Sequence, residues 1–168
     1  TPHNYNSSLI NILGVKYITS EQREIIRSVF ENKYTTCQAS HNVGKTFIAA
    51  AIVLAFLIPN KDSIVLTTAP TARQVEDLLW SEIGKLYEKS KYKLGGHLNL
   101  TDLVYASKWY ATGISPQIGK EEQSAVRFQG YHEGKILVIL DEAVGVHPAV
   151  WSAVNGILSS SGSKLLAI

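Results

Sequence analysis

The stretch that decides the fold is Ala39-Ser40-His41-Asn42-Val43-Gly44-Lys45-Thr46. A short run rich in β-branched and aromatic residues, 34–38, precedes it, and an apolar run, 45–58, follows it. This order predicts a strand, a loop and a helix. The stretch fits the pattern G-x-x-x-x-G-K-[ST] except that Ala39 replaces the first glycine. Because successive backbone N–H groups and a helix N-terminus surround phosphate groups well, we predict a nucleotide phosphate site.

Each position of this loop has an expected role. Gly44 keeps the backbone close to the phosphates, Lys45 reaches the β- and γ-phosphates, and the Thr46 hydroxyl binds Mg²⁺. The alternative is a loop that only turns a strand into a helix. A lysine at the start of an otherwise apolar helix argues against it. The predicted nucleotide-binding residues of the loop are Ser40, His41, Asn42, Val43, Gly44, Lys45 and Thr46.

A second motif is the apolar run 135–140, which ends in Asp141 and Glu142. An aspartate at the end of a buried strand is placed to orient Mg²⁺ and its water, so Asp141 is the predicted metal-side carboxylate. Glu142 is the predicted general base for the attacking water. Many such runs are only strands that leave the core. The phosphate loop favours the functional interpretation, because hydrolysis needs both motifs.

Four further residues are candidates with open alternatives. Arg127 precedes the acidic strand and is predicted to stabilise the transition state, in a neighbouring subunit's site; the alternative is a solvated loop arginine. Arg73, at a helix start, is predicted to sense nucleotide or DNA; the alternative is that it caps the helix or forms an ion pair on the surface. Gln22 reads the adenine edge with its amide, or serves only as the capping-box glutamine of Thr19-Ser20-Glu21-Gln22. Tyr17 is a weaker candidate for stacking on the base.

Strand-like and helix-like patterns alternate along the chain, and the strands are apolar runs, which predicts an α/β sheet, mostly parallel, with helices on both faces. The third helix should place Val75, Leu78, Leu79, Ile83 and Leu86 on one buried face. We expect an N-terminal arm over 1–18 and one ATPase domain over 19–168. The predicted helices cover about 19–32, 45–58, 70–89 and 149–158, the strands 34–38, 63–68, 103–106, 109–114, 135–140 and 164–168, and a loop 115–123.

Composition limits the class of protein. The chain has 168 residues and a formal net charge of +2, which fits one soluble domain and neither indicates nor excludes a nucleic-acid partner. Cys37 is the single cysteine, so no internal disulfide or thiolate metal site is expected, and we place it in a buried strand. The longest apolar run is too short to cross a membrane. Because the sequence contains no methionine, we expect it to be a processed piece with missing neighbours.

Four lysines cluster near the end of the third predicted helix: Lys85, Lys89, Lys91 and Lys93. Their positive charges are favourable at a helix C-terminus because of the helix dipole. A DNA-contacting patch is the minority alternative.

Five motifs together resemble one family. They are Thr19-Ser20-Glu21-Gln22, the loop 40–46, Thr68-Ala69-Pro70-Thr71-Ala72-Arg73-Gln74-Val75, Arg127-Phe128-Gln129-Gly130-Tyr131-His132 and Leu140-Asp141-Glu142-Ala143. From about residue 19 to its end, the chain is similar to the ATPase domain of the large terminase subunit of tailed bacteriophages. The resemblance implies a three-layer P-loop NTPase fold of the RecA-like (ASCE) type.

The resemblance also implies an activity and partners. Family members use ATP and Mg²⁺ to thread double-stranded DNA into an empty procapsid in the host cytoplasm. They act as a ring of copies on the portal, with a small terminase subunit, and usually carry a C-terminal nuclease domain, which this sequence lacks. Residues 164–168 resemble the start of the family's coupling motif. His41 stands where members often have an arginine, which puts that contact in doubt.

Two rival functions remain open. One is a helicase-like or repair ATPase of the same broad class that acts on DNA without a capsid; the sequence holds no second RecA-like half. The other is a nucleotide-binding assembly module that does not hydrolyse ATP, against which Glu142 argues.

Overall fold

A single sheet organises the computed structural model, which describes residues 11–38, 44–117, 119–131 and 134–168. Its strands lie in the order β1-β7-β6-β2-β5-β4-β3. Neighbours from β1 to β5 pair in parallel, whereas β4 and β3 add an antiparallel edge. The predicted mostly parallel α/β sheet is therefore confirmed. The strands are β1 (Tyr34–Thr36), β2 (Ser63–Thr68), β3 (His97–Leu98), β4 (Asp102–Ala106), β5 (Trp109–Gly113), β6 (Lys135–Leu140) and β7 (Ser163–Ala167).

Helices cover both faces of the sheet and make three layers. The helices are α1 (Ser20–Glu31), α2 (Lys45–Leu57), a π-helical segment (Gln74–Trp80) that continues as α3 (Ser81–Lys89), α4 (Glu121–Val126), a 3-10 turn (Ala143–Gly145) and α5 (Pro148–Ile157). One core cluster joins α1, α2 and α3 to the sheet, and a second joins α4 and α5 to its other face. Alternate residues of β2 divide between them: Val65 belongs to the first cluster and Leu66 to the second.

Two helices form where sequence signals predicted them, for identifiable reasons. The Thr19 hydroxyl accepts the N–H of Gln22 (3.2 Å), and the Gln22 side-chain oxygen accepts the N–H of Thr19 (3.1 Å), so the capping box of α1 is complete. Helix α2 is apolar nearly all round because it packs between other elements: nine of its residues are buried.

The prediction for the third helix is wrong at Leu78. That side chain is 49% exposed, while Trp80 is buried and donates from its indole Nε1 to the Thr67 hydroxyl at 2.9 Å. The cause is the π-helical segment, whose wider turns take up extra residues and rotate the positions away from an α-helical period. A 3.6-residue pattern could not anticipate this.

Other differences from the predicted elements are small. Helix α4 begins inside the predicted loop 115–123. The sequence pattern did not indicate this helix, because its six residues are mostly polar and only Ser124 and Ala125 are buried. The two-residue strand β3 carries too few residues to make a pattern. The remaining boundaries move by at most four residues.

The register of the sheet places four strand ends side by side. Thr36 pairs with Ala167, Ala167 with Leu140, and Leu140 with Thr68. The segments that leave these strands therefore start at one edge, where ligands bind in open α/β sheets. Strand β7 lies between β1 and β6, so the phosphate loop and the acidic residues follow strands that are not adjacent.

The proposed division at residue 18 stays a prediction. Leu13, Val15 and Ile18 are buried in the first core cluster. Within the described residues, no helix combines the length and apolarity that crossing a membrane requires.

A matched pair of glycines tests the packing around Trp80. A Cβ on Gly113 would collide with the Trp80 indole and lie 2.9 Å from Val75 Cγ1, whereas one on Gly156 in α5 would meet open space. We expect Gly113→Ala to lower the free energy of unfolding by about 1–3 kcal/mol. Gly156→Ala should raise it by about 0.4–1 kcal/mol, because the unfolded chain loses freedom. Urea unfolding measures both, and equal effects of the two substitutions would contradict the packing around Gly113.

Candidate active site

A hydrogen bond joins the first turn of α2 to the end of β6. The Thr46 hydroxyl donates to Asp141 Oδ2 at 3.2 Å, and the N–H of Glu142 donates to Asp141 Oδ1 at 3.1 Å. The N–H of Asp141 in turn donates to the carbonyl of Thr68 at 2.9 Å. Asp141 is only 2% exposed, so both carboxylate oxygens are fixed in a buried position.

Burial raises the pKa of Asp141 above its ordinary value. The nearby charge of Glu142 raises this pKa further, whereas the Thr46 hydroxyl, the Glu142 N–H and the charge of Lys45 lower it. Because desolvation outweighs the hydrogen bonds, the carboxylate's charge is incompletely compensated by the protein. A divalent cation beside it would supply that compensation. A carboxylate and a hydroxyl are hard oxygen ligands, so this pair fits Mg²⁺.

The last residue before α2, Gly44, lies close to α1. Gly44 has φ 72° and ψ 33°, a left-handed conformation that suits glycine, and its carbonyl accepts the first α2 hydrogen bond, from Ile48, at 3.0 Å. A Cβ at Gly44 would lie 2.8 Å from Gln22 Nε2. The buried Gln22 amide therefore lies directly beside the loop while it completes the capping box. Ser40, His41, Asn42 and Val43 lie outside the described residues.

An open cavity of about 710 Å³ lies at the carboxyl ends of β1, β7 and β6. Lys45 and Glu142 line it together, although 97 positions separate them in sequence. The structure thus brings four predicted site residues, Lys45, Thr46, Asp141 and Glu142, to one place. The other lining residues are Thr36, Cys37, Gln38, Ala143, Val144, Trp151, Ala167 and Ile168.

Glu142 has an unusual backbone conformation. Its φ of 52° and ψ of 48° are left-handed, which costs a non-glycine residue free energy. The following turn is held by a hydrogen bond from the N–H of Ala143 to the carbonyl of Ile168 (2.8 Å), and a Cβ at Gly145 would lie 2.7 Å from Pro70 Cγ. The fold therefore imposes this conformation, as is common at functional positions.

Neither candidate arginine lines the cavity. Arg73 is exposed, with Nε 3.9 Å from the Asp77 carboxylate, so it makes a surface ion pair. Arg127 caps the C-terminus of α4 and is exposed, next to the buried Phe128. Tyr17 is also exposed.

Sequence reasoning missed the apolar wall of the cavity. Val144, Trp151 and Ile168 come from the 3-10 turn, from α5 and from the end of β7. Cys37, placed by prediction in a buried strand, follows β1 and is partly exposed in the cavity. No local pattern marks these residues, because only the alignment of strand ends brings them together.

Three features define the fold: the mostly parallel sheet, helix α2 as the next element after β1, and the acidic end of β6. The fold is that of a P-loop nucleoside triphosphatase of the RecA-like type, with an additional strand between the two motif-bearing strands.

The sequence is also similar to that of a known protein. It is 25% identical, over a 167-residue alignment that covers 94% of this chain, to a probable large terminase subunit of Enterobacteria phage P7. The chain spans only 33% of that protein. No family model matches the chain.

Solved structures share the fold. The large terminase of a thermophilic bacteriophage superposes with a TM-score of 0.70 and 15% identity, covering 90% of this chain and 39% of that one. The large terminase ATPase domain of Thermus phage P74-26 superposes with a TM-score of 0.64 and 20% identity, covering 99% and 68%. The first of these two terminases has also been solved in complex with ADP. These comparisons confirm the resemblance to large terminase ATPase domains.

The buried carboxylate predicts a pH-dependent stability. Its folded-state pKa is raised, so ionised Asp141 destabilises the fold above that pKa, and protonation removes the cost. Without divalent cations, Asp141→Asn should therefore raise the free energy of unfolding by about 0.5–2 kcal/mol at neutral pH. The gain should shrink as the pH falls through the folded-state pKa. Urea unfolding at several pH values measures it, with the exposed Asp62, changed to asparagine, as control. A gain independent of pH would show that desolvation of Asp141 is not its cause.

Proposed function

We propose that this chain is the ATP-hydrolysing motor domain of a viral large terminase subunit, which drives double-stranded DNA into the procapsid. The observation that carries the proposal is the hydrogen bond between Thr46 and Asp141, with Lys45 and Glu142 lining one cavity beside it. A metal-binding hydroxyl, a buried carboxylate, a phosphate-binding lysine and a carboxylate base are the groups that ATP hydrolysis needs.

Phosphate binding is assigned to the predicted phosphate loop and to the first turn of α2. Lys45 is the first residue of α2 and lines the cavity, and the helix dipole favours an anion at this N-terminus. The loop residues Ser40, His41, Asn42, Val43 and Gly44 supply backbone N–H groups. The Gln22 amide, beside Gly44, is proposed to contact the adenine edge. Its capping bonds fix the amide orientation.

Hydrolysis is assigned to the two adjacent carboxylates, Asp141 and Glu142. Water attacks the γ-phosphorus, the bond from that phosphorus to the β–γ bridging oxygen breaks, and ADP and phosphate leave. Glu142 accepts the proton of the attacking water. Asp141 and Thr46 would hold Mg²⁺, which would neutralise charge on the phosphate oxygens. The hydrogen bond from the N–H of Glu142 to Asp141 Oδ1 joins the backbone of the proposed base to the fixed Asp141 carboxylate.

Arg127 is proposed to act in a neighbouring copy. It is exposed and does not line the cavity of its own chain, so its guanidinium is free to reach an adjacent site in a ring. Arg73, held near Asp77 on the surface, is the second candidate for sensing nucleotide or DNA. The portal, the small terminase subunit and a nuclease domain elsewhere in the parent protein complete the proposed machine, at the procapsid in the host cytoplasm.

Substitution of the proposed base separates hydrolysis from binding. Glu142→Gln should lower ATP turnover by about 10²- to 10⁴-fold, because a general base contributes that much. Nucleotide affinity, measured with a fluorescent ATP analogue, should change little. Glu24→Gln, an exposed glutamate on α1, is the matched control and should turn over ATP normally. Equal background rates in wild type and Glu142→Gln would favour the rival non-hydrolysing module.

Mixing two inactive variants tests the arginine. Arg127→Ala should lower turnover by about 10³-fold or more under assembling conditions. In a mixture with Glu142→Gln, neighbouring copies bring an intact arginine to an intact base, so activity should partly return. Arg27→Ala, an exposed arginine on α1, is the control and should keep its activity alone. Absence of recovery at any mixing ratio would exclude action between subunits.

A further inference from the structure

Residues 89–96, which we call the lysine loop, form a cationic surface outside the candidate active site. The loop carries Lys89, Lys91 and Lys93, and all three side chains are exposed. From 89 to 101 the chain contains no aspartate or glutamate. Three positive charges within five residues therefore face solvent, with the exposed Tyr92 between two of them.

The protein does not neutralise these charges. Among the described residues, none of the three lysines lies within ion-pair distance of a carboxylate. Lys85, one turn earlier, differs because its Nζ lies 3.1 Å from Glu82. Lys89 suits the C-terminal dipole of α3, but Lys91 and Lys93 lie beyond the helix, where that explanation does not reach.

The loop is held in place by hydrogen bonds rather than extending freely. The Ser90 hydroxyl and the N–H of Lys91 both donate to the carbonyl of Ile12, at 2.9 and 3.1 Å. The Tyr87 hydroxyl donates to the carbonyl of Gly95 (2.8 Å), and the Tyr105 hydroxyl donates to that of Leu94 (2.7 Å). The lysines are thus presented on a preorganised backbone, which lowers the entropy lost on binding.

The lysine loop lies at the amino edge of the sheet, opposite the cavity. Its contact Tyr105 precedes Ala106, which pairs with the first residue of β5, Trp109. One uninterrupted helical rod, 72–89, leads to the loop from the other edge, a span of about 27 Å. Near its start, Pro70 packs on Gly145, and Glu76 accepts a hydrogen bond from the Ser115 hydroxyl at 3.0 Å.

We propose that the lysine loop binds the phosphate backbone of double-stranded DNA. Unpaired exposed lysines on a fixed backbone match regularly spaced phosphates without reading sequence, as a motor that moves along DNA requires. The rod 72–89 then joins the DNA contact to the turn that follows Glu142. The inference rests on the proposed function for the identity of the polyanion.

The test is DNA binding by the chain at several salt concentrations. A labelled duplex is titrated with wild type and with the triple variant Lys89→Ala, Lys91→Ala, Lys93→Ala, and anisotropy reports affinity. Each lysine on a phosphate contributes about 0.9 to the slope of log affinity against log salt, so the slope should fall by about 2–3 and affinity by about tenfold or more. Circular dichroism checks that the variant is folded.

Two matched variants decide specificity. Replacing all three lysines by arginine should preserve affinity. Replacing Arg23 and Arg27 on α1 and Lys120 before α4, which are also exposed, by alanine removes the same charge away from the loop. This variant should change affinity less than about twofold if only contacting cations count. The proposal is overturned if wild type does not bind duplex DNA at low salt, if the alanine variant of the lysine loop binds normally, or if the control loses as much.

Failure of this proposal is separable from failure of the proposed function. ATP turnover of the lysine-loop variant without DNA should equal that of wild type, because none of its lysines lines the cavity. Loss of DNA binding with normal turnover supports the assignment. If ATP turnover depends on Glu142 but the lysine-loop variant binds DNA as wild type does, the lysine loop is not the DNA contact. The proposed ATPase activity would then still be supported.

Discussion

The hydrogen bond from Thr46 to Asp141 is the contact on which the site depends. It joins the helix after the phosphate loop to the end of a strand nearly a hundred residues later. Both groups sit where they do because the carboxyl ends of β1, β7, β6 and β2 are in register. A slip of one residue between β6 and β2 would turn alternate side chains to the other face and separate the pair.

This arrangement costs free energy in two ways: a buried carboxylate has an incompletely compensated charge, and the residue after it has a strained backbone. Asp141 is desolvated, and Glu142 occupies a left-handed conformation. The packing of Gly145 on Pro70 and the bond from Ala143 to Ile168 hold the turn in that state. Such local costs are typical of sites that are organised before the ligand arrives, and the two continuous core clusters supply the stability that offsets them.

Much of the fold could be predicted from the sequence, since its signals are local. The capping box at Thr19 starts α1, strands β2 and β6 match their predicted bounds, and the apolar run after Lys45 forms a buried helix. The π-helical segment could not be predicted, because its residues do not follow the α-helical period; within it, Trp80 is buried against Thr67 and Gly113. Helix α4 buries too few residues to leave a pattern.

The sequence by itself determined the chemical groups that are available: a predicted phosphate loop with its lysine and threonine, and two adjacent carboxylates, all readable from short motifs. Tertiary structure alone decided which of these groups meet. It brought Lys45 and Glu142 to one cavity, lined that cavity with an apolar wall of Val144, Trp151 and Ile168, and kept Arg127 and Arg73 away from it. The reason is that strand order and register are set by long-range pairing in a parallel sheet, which no local window of sequence contains.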